Sequence, residues 1–291
     1  NRIRNTRSSD FVEHYMKKTH PVIVEDFVRS DSPAFSSWNY DYFKKLAGNV
    51  RVNVFGGEME NLNRVASKPV GNMKFSEYLD LILKEPTELR LFLFNLLNIK
   101  PELKKEIRYH DITGGKILDW LPFMFFGGEG SVTRNHIDID MSHVFITQFQ
   151  GIKRIWLFPP EQSDLLYRLP YSFHSIAHLK ETESRQFPGL ASIRGYEAVI
   201  HPGETLYIPS GWWHYIQYET EGYSVSVRAL PFSIAEKWKG FRNVVIIRNF
   251  DNLLRTVFGN KWYCYKVRLA NKRAKKALEK EKKEFFFCSS R

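Results

Sequence analysis

From Trp120 onward the chain is a succession of short apolar runs cut by glycine and proline: FMFFGGEGSVT, HVFITQF, KRIWLFPP, YEAVIHPGETLYIPSGWWHYIQY and YSVSVRAL. The breaks fall at Gly127-Gly128, Gly151, Pro159-Pro160, Pro202-Gly203, Ser210-Gly211 and Gly222. Each run is short, and the β-branched and aromatic residues that fill it suit a pleated surface. Many such strands separated by turn signals argue for a barrel or sandwich. The pattern therefore predicts a mainly β core over residues 120–231.

On both sides of that core the periodicity changes. Pro21–Val28 and Val50–Phe55 read as strands, and Arg90–Leu96 as a buried strand. Asn39–Ala47 reads as a helix capped by Asn39 and stopped by Gly48, and Ser76–Lys84 as a helix opened by Ser76. Pro101 suits a first helical turn, where its missing N–H is no loss. From Pro231 apolar residues recur at spacings of three and four. The expected organisation is an α/β flank at 1–119 packed on the core, the β core at 120–231, and a helical region with a basic tail at 232–291.

With 43% hydrophobic and 15% aromatic residues the chain can bury a real core, which excludes a disordered polymer. Two cysteines, Cys264 and Cys288, cannot build a disulfide scaffold or a zinc module. No apolar run is long enough to cross a bilayer and no basic-then-apolar leader opens the chain, so the expected setting is a reducing cytoplasm with no membrane contact. The net charge of +11 is concentrated at the end: Lys266 to Glu284 holds nine basic residues against three acids. Such a tail fits contact with nucleic acid or an acidic partner, and it fits a solvated basic helix as well; it lacks the interleaved aromatics of a single-strand binder.

The stretch that carries chemistry is TRNHIDIDMSHVFITQFQGIKRIWLFPP. His136 and Asp138 are two apart, and on a strand residues i and i+2 share a face, so both can bind one ion. His214, 78 residues after His136, is the best third ligand. Two imidazoles and one carboxylate on one side of a metal leave the other positions open, the arrangement that suits Fe(II) in oxygen chemistry. Asp140 and His143 are rival ligands by proximity; His14, His20, His110, His174, His178 and His201 read as structural or surface residues.

The motifs GGEGSVTRNHID, GIKRIWLFPPEQ and GYEAVIHPGETLYIPSGWWHYI, in that order, resemble the Jumonji C and cupin-like 2-oxoglutarate oxygenases over about Gly127 to Leu230. The branch most similar contains the asparaginyl hydroxylase of hypoxia-inducible factor and the tRNA wybutosine hydroxylase. The resemblance implies a double-stranded β-helix, or jelly roll, with iron held by His136, Asp138 and His214. It implies 2-oxoglutarate and O₂ as co-substrates, with the far carboxylate of 2-oxoglutarate held by Lys153 and Thr133. Arg228 falls where it would grip the metal-side carboxylate, or else point outward. Two positions depart from the pattern. Val144 stands for an asparagine, and only Phe92 or Phe94 stands for the tyrosine that helps hold the far carboxylate. The implied reaction is hydroxylation of a C–H bond with release of succinate and CO₂, the substrate being a protein, an RNA or a metabolite. Lysine demethylation is the less expected outcome, since no reader or zinc module accompanies the core. The insert Glu161–Tyr196 is expected to border the substrate groove, and the apolar helices after the core to form a homodimer. The readings to weigh against this are a non-catalytic barrel and a metal cupin that does not use 2-oxoglutarate.

Overall fold

The turn residues of the β region fold the apolar runs back on one another as antiparallel strands. The computed structural model of the chain describes residues 1–56, 68–179 and 185–288. Its strands are β1 (Arg2–Ile3), β2 (Val22–Val24), β3 (Arg51–Val54), β4 (Gly71–Lys74), β5 (Arg90–Phe94), β6 (Ile117–Gly127), β7 (Val132–His136), β8 (His143–Gln150), β9 (Lys153–Phe158), β10 (Tyr196–Ile200), β11 (Thr205–Ile208), β12 (Trp213–Tyr218) and β13 (Gly222–Ala229). A larger sheet runs β1-β2-β11-β8-β13-β6-β5, a smaller one β10-β9-β12-β7, and β3 pairs with β4. Apart from the short β1–β2 contact, the strand pairs are antiparallel. The two sheets enclose an apolar core of Val144, Ile146, Ile155, Leu157, Leu206, Ile208 and Ile216. This is the jelly-roll core that the resemblance implied. Strands β2 and β5, from residues before 119, are hydrogen-bonded into the larger sheet.

β13 shows how the sequence divides the two faces of that sheet. Its SVSVR alternation turns Val225 and Val227 outward, onto the cluster with Phe126, Phe145 and Tyr207. Ser224, Ser226 and Arg228 turn the other way and line the cavity between the sheets. All five are buried, so the polar rail is enclosed in the barrel rather than exposed to solvent.

The outer face of the larger sheet is covered by the N-terminal elements. Helix α1 (Tyr40–Ala47) begins as the sequence predicts, the Asn39 side-chain oxygen accepting from the Tyr42 N–H at 2.8 Å. Helix α2 spans Phe75–Lys84 and so starts before the expected cap: Lys74 is the N-cap position, and the Glu77 carboxylate accepts from its N–H at 2.9 Å. Phe43 and Phe75 each meet Phe126 edge-on, at 5.6 and 5.0 Å between centroids. The predicted strand Pro21–Val28 is shorter than expected, extended only at Val22–Val24.

After the barrel come α3 (Ile234–Arg242), α4 (Arg248–Phe258) and α5 (Asn260–Cys288), with one wider turn of helix at Asn243–Ile247 joining the first two. The Lys266 ammonium and the Asp251 carboxylate, both buried, meet at 2.7 Å, and the Trp262 indole N–H donates to the same carboxylate oxygen at 2.8 Å. This pair ties α4 to α5, while Ala270 and Ala274 of α5 pack on Tyr167, Leu169 and Phe187 of the insert. Among the described residues no helix is long and apolar enough to cross a membrane. The side chains of Lys282, Lys283, Glu284 and Cys288 lie outside what is described, as do residues 180–184 of the insert.

The β8–β9 turn depends on Gly151. Its φ is +76°, and a Cβ there would fall 2.2 Å from the Glu221 carbonyl oxygen. Gly151→Ala combines a disfavoured backbone conformation with a backbone clash, so it is expected to destabilise the fold by more than about 1 kcal/mol. The urea midpoint should fall at unchanged slope; an unaltered midpoint would refute the account.

Candidate metal centre

The centre begins with a fault in a strand. His214 of β12 is paired with His136 of β7, but Ile216, two residues on, is paired with Thr133, three residues back. The extra residue in β7 is a bulge, and it turns both Thr133 and His136 toward the cavity, which a regular strand would forbid at a separation of three. β7 ends at His136, so Asp138 lies beyond the strand in the following loop. The expectation that two alternate residues of one strand supply both ligands is therefore corrected. The Ile137 N–H, bonded to the Phe173 carbonyl at 2.8 Å, continues the chain far enough to bring the carboxylate back to the same side.

One ligand atom from each of His136, Asp138 and His214 falls within 4.8 Å of the others. The His214 Nε2 is 3.8 Å from an Asp138 oxygen, and the two imidazole centroids are 4.1 Å apart. Each ring is oriented from behind. The His136 Nδ1–H donates to the Arg134 carbonyl at 2.8 Å, and the His214 Nδ1–H to the Trp212 carbonyl at 3.2 Å. Both rings are thus held as the tautomer whose bare Nε2 is a ligand. Burial, reinforced by His214, pushes His136 down to about 3, and burial lowers His214 too, so both are neutral at physiological pH. Burial alone would raise Asp138, but the Arg228 guanidinium and the two imidazoles hold it below the usual carboxylate range. Two neutral imidazoles and a carboxylate are a donor set that fits a divalent iron.

Arg228 is the residue whose role the tertiary structure decides. It is buried, and its guanidinium donates to Asp138 at 3.0 Å, to both Asp140 oxygens at 2.9 and 3.0 Å, and to the Ser142 hydroxyl at 2.8 Å. Its polar contacts are with these side chains, so it does not point outward; it lines both parts of the cleft and positions the Asp138 carboxylate. Asp140, a rival ligand on sequence, is the other half of that clamp. His143, the second rival, sits apart: its Nδ1 is bonded by Tyr207 Oη at 2.9 Å and by the Ser210 N–H at 3.2 Å.

The centre opens into a cleft with two parts. An inner cavity of about 40 Å³ is lined by Phe92, Phe125, Thr133, Val144, Lys153, Tyr218, Ser224 and Ser226 together with the three candidate ligands and Arg228. An outer mouth of about 230 Å³ shares Phe92, Thr133, His136, Asp138 and Arg228 with it and adds Arg90, Arg134, Phe173, His174 and Arg248. Lys153 is fully buried at the inner end. Its ammonium donates to the Ser224 hydroxyl at 2.5 Å and lies 4.4 Å from the Tyr218 ring centroid. Among the described residues no carboxylate pairs with it. Burial alone lowers it to about 7. A buried cation without a counter-ion is a place for an anion, so the inner cavity fits a carboxylate at its Lys153 end. Val144 and Phe92, the two departures from the family pattern, both line this cavity.

Reasoning from sequence missed part of the lining. Phe173 and His174 come from the insert, and nothing in its polar, irregular sequence distinguishes them from its other residues. Ser224 and Ser226 carry a signal in the alternation of β13, whose polar members face the metal cavity. Tyr218 follows His214 by four residues on the same strand face and was predictable by the same rule.

The sequence profile described as "Cupin-like domain" matches residues 8–235. The chain belongs to that family. Relatives of this cupin-like chain include lysine-specific demethylase JMJ30 of Arabidopsis thaliana, 31% identical over 228 residues, covering 74% of this chain and 51% of the relative. Lysine-specific demethylase 8 of Xenopus tropicalis is 26% identical over 224 residues, 74% of this chain and 49% of its own length. Arginine-specific demethylase JMJ20 of Arabidopsis thaliana is 36% identical over 95 residues, 32% of this chain and 20% of the relative. The first two show that the cupin-like chain spans about half the length of curated relatives it matches. Together the profile and the relatives place it in the Jumonji C class of 2-oxoglutarate oxygenases. The finer likeness to the asparaginyl and wybutosine hydroxylases rests on the sequence motifs alone.

Removing the Arg228 guanidinium leaves Asp138 and Asp140 as unneutralised neighbours and frees the ligand carboxylate to turn. Arg228→Met is therefore expected to weaken Mn(II) binding, measured by titration calorimetry or electron paramagnetic resonance, by about 10- to 100-fold. An unchanged affinity would show that Asp138 is positioned by other contacts.

Proposed function

We propose that this chain is an Fe(II)- and 2-oxoglutarate-dependent dioxygenase that hydroxylates a C–H bond of its substrate, with release of succinate and CO₂. The observation that carries the reading is one cleft with a metal-ligand triad at its centre and an unpaired buried ammonium, Lys153, at its inner end. Iron, when bound, would supply O₂ activation coupled to decarboxylation of the co-substrate. The protein's own work is positional. His136, Asp138 and His214 would hold the metal from one side, and Arg228 would keep Asp138 ionised and aimed. Lys153, with Ser224 and Thr133 nearby, would hold the far carboxylate of 2-oxoglutarate. Phe92, Phe125 and Val144 would keep that cavity dry. The mouth bounded by Phe173 and His174 would admit the substrate. An intact triad together with Lys153 favours this reading over a non-catalytic barrel. The names of the relatives bring methylated lysine and arginine side chains in as substrate candidates. Removal of an N-methyl group and hydroxylation start from the same attack on a C–H bond, so these names accord with the proposed chemistry. A reducing cytoplasm remains the proposed setting; Cys264 is a free, exposed thiol.

Titration of 2-oxoglutarate into Mn(II)-loaded protein tests the reading. Binding is expected in the wild type and lost in His136→Ala and Lys153→Ala, while absence of binding in the wild type would refute it. The titration carries a second signature. Lys153, lowered to about 7, is largely neutral at pH 8 in the free protein, and a bound carboxylate favours its charged form. Binding at pH 8 is therefore expected to take up close to one proton, seen as a dependence of the enthalpy on the buffer's ionisation heat. The uptake should vanish below about pH 6, where Lys153 is already charged.

We also propose that the chain forms a homodimer through its C-terminal helices. Ile246, Phe250, Leu253 and Val257 fall at helical spacing on one face, 42–63% exposed, a stripe that a second copy can cover by the same stripe about a two-fold axis. Light scattering should show two chains per particle in the wild type and one in Leu253→Asp/Val257→Asp; a monomeric wild type would refute the dimer.

A further inference from the structure

The basic tail is a face as well as a composition. On α5 the buried residues Lys266, Ala270 and Ala274 define the inner side of the helix. Taking the 3.6-residue period from them, the outward side carries Lys261, Tyr265, Arg268, Lys272, Lys275 and Lys276, all exposed, with Glu279 as the one acid on it. Lys266, the ion-paired lysine, is not part of this face.

Three features of the face point to a partner rather than to a solvated helix. Arg268 and Lys272, and Lys272 and Lys276, are like charges four residues apart, an arrangement that destabilises an isolated helix. Among the described residues none of Lys261, Arg268, Lys272, Lys275 and Lys276 forms an ion pair, although Glu279 is within helical reach of the last two. Arg268, Lys272 and Lys276 rise about 6 Å apart along the axis, a repeat that can follow successive phosphates of an extended strand. The second feature is aromatic. Tyr265, 47% exposed and inside the basic stripe, stacks on Trp262 with centroids 5.4 Å apart and planes at 17°. The aromatic platform absent from the tail as a sequence is supplied by the first turns of the same helix. The third is continuity. Arg273 of α5 and Arg242 of α3 both act on Arg168 of the insert, whose guanidinium is lowered by burial first and by these two charges after it. Arg248, at the start of α4, lines the mouth of the cleft on the side of the helix opposite the apolar stripe. Positive charge therefore runs beside the face, from Arg273 on the flank of α5 turned toward the insert to the mouth, without crossing the proposed dimer face.

We infer that the outward face of α5 is a docking surface for single-stranded nucleic acid, held by phosphate contacts to Lys261, Arg268, Lys272, Lys275 and Lys276 and by stacking of a base on Tyr265. An exposed tyrosine within the charge stripe favours this partner over a run of acidic side chains, which offers no flat ring to stack. The inference does not depend on the oxygenase reading.

Fluorescence anisotropy of a labelled oligouridine with the full, metal-free chain tests it. Binding at low salt is expected, with affinity falling on a log–log plot of salt by about 0.7 per phosphate contact. In Arg268→Gln/Lys272→Gln/Lys276→Gln the slope should be about two units shallower. Tyr265→Ala should bind about fivefold or more weakly at the same salt. Both variants change exposed side chains, and unchanged circular dichroism and unchanged Mn(II) affinity check that the fold is intact. Poly-glutamate of the same charge should bind more weakly than oligouridine. Three results would overturn the inference: no binding of oligouridine at low salt, poly-glutamate bound as tightly, or variants indistinguishable from the wild type.

Discussion

A carboxylate that must stay ionised inside a β barrel is the constraint around which this molecule is arranged. Asp138 is only partly exposed, and that desolvation by itself favours its neutral form. Arg228, together with the two imidazoles, reverses that outcome, its guanidinium lying 3.0 Å from an Asp138 oxygen. Arg228 is itself buried and would be an isolated cation if it met Asp138 alone. Asp140 and the Ser142 hydroxyl take its remaining donors. The ligand, its cation and the second carboxylate form one clamp, and removing Arg228 leaves both carboxylates without their cation.

The same logic explains why the inner end of the cleft is different. Lys153 is as buried as Arg228 but faces one hydroxyl and an aromatic ring instead of carboxylates. Its ammonium is destabilised, and an incoming anion relieves that. One end of the cleft is thus electrostatically complete and the other incomplete, which is the arrangement expected if the metal ligand is resident and the anion comes and goes. The apolar walls sharpen the contrast by keeping the dielectric low.

Much of this was legible in the sequence. Glycine and proline at intervals mark the strand ends because few other residues adopt turn conformations without strain, and β-branched runs between them leave little choice but a sheet. Asn39 was readable as a cap because its bond is made within three residues. His136, Asp138, His214 and Lys153 stood out through their motifs, and the structure brings all four to one cleft. What failed was local in a different way. The bulge in β7, which aims both Thr133 and His136 inward, arises from a mismatch with β12, a strand far along the chain. The start of α2 shifted by a residue because the Glu77 side chain, and not Ser76, completes the cap.

Sequence by itself determined the strand pattern, the ligand types and the excess of positive charge at the end of the chain, because periodicity, donor chemistry and charge are properties of residues and their neighbours. Only the tertiary structure decided what Arg228 does, that Asp140 and His143 are not ligands, which insert residues reach the mouth, and that Tyr265 stands among the basic residues of one helix face while Lys266 is buried on the other. These depend on which side chains meet across long separations, such as the 88 residues between Asp140 and Arg228. Burial then sets the energy of each charge, and burial is known only once the two sheets have closed.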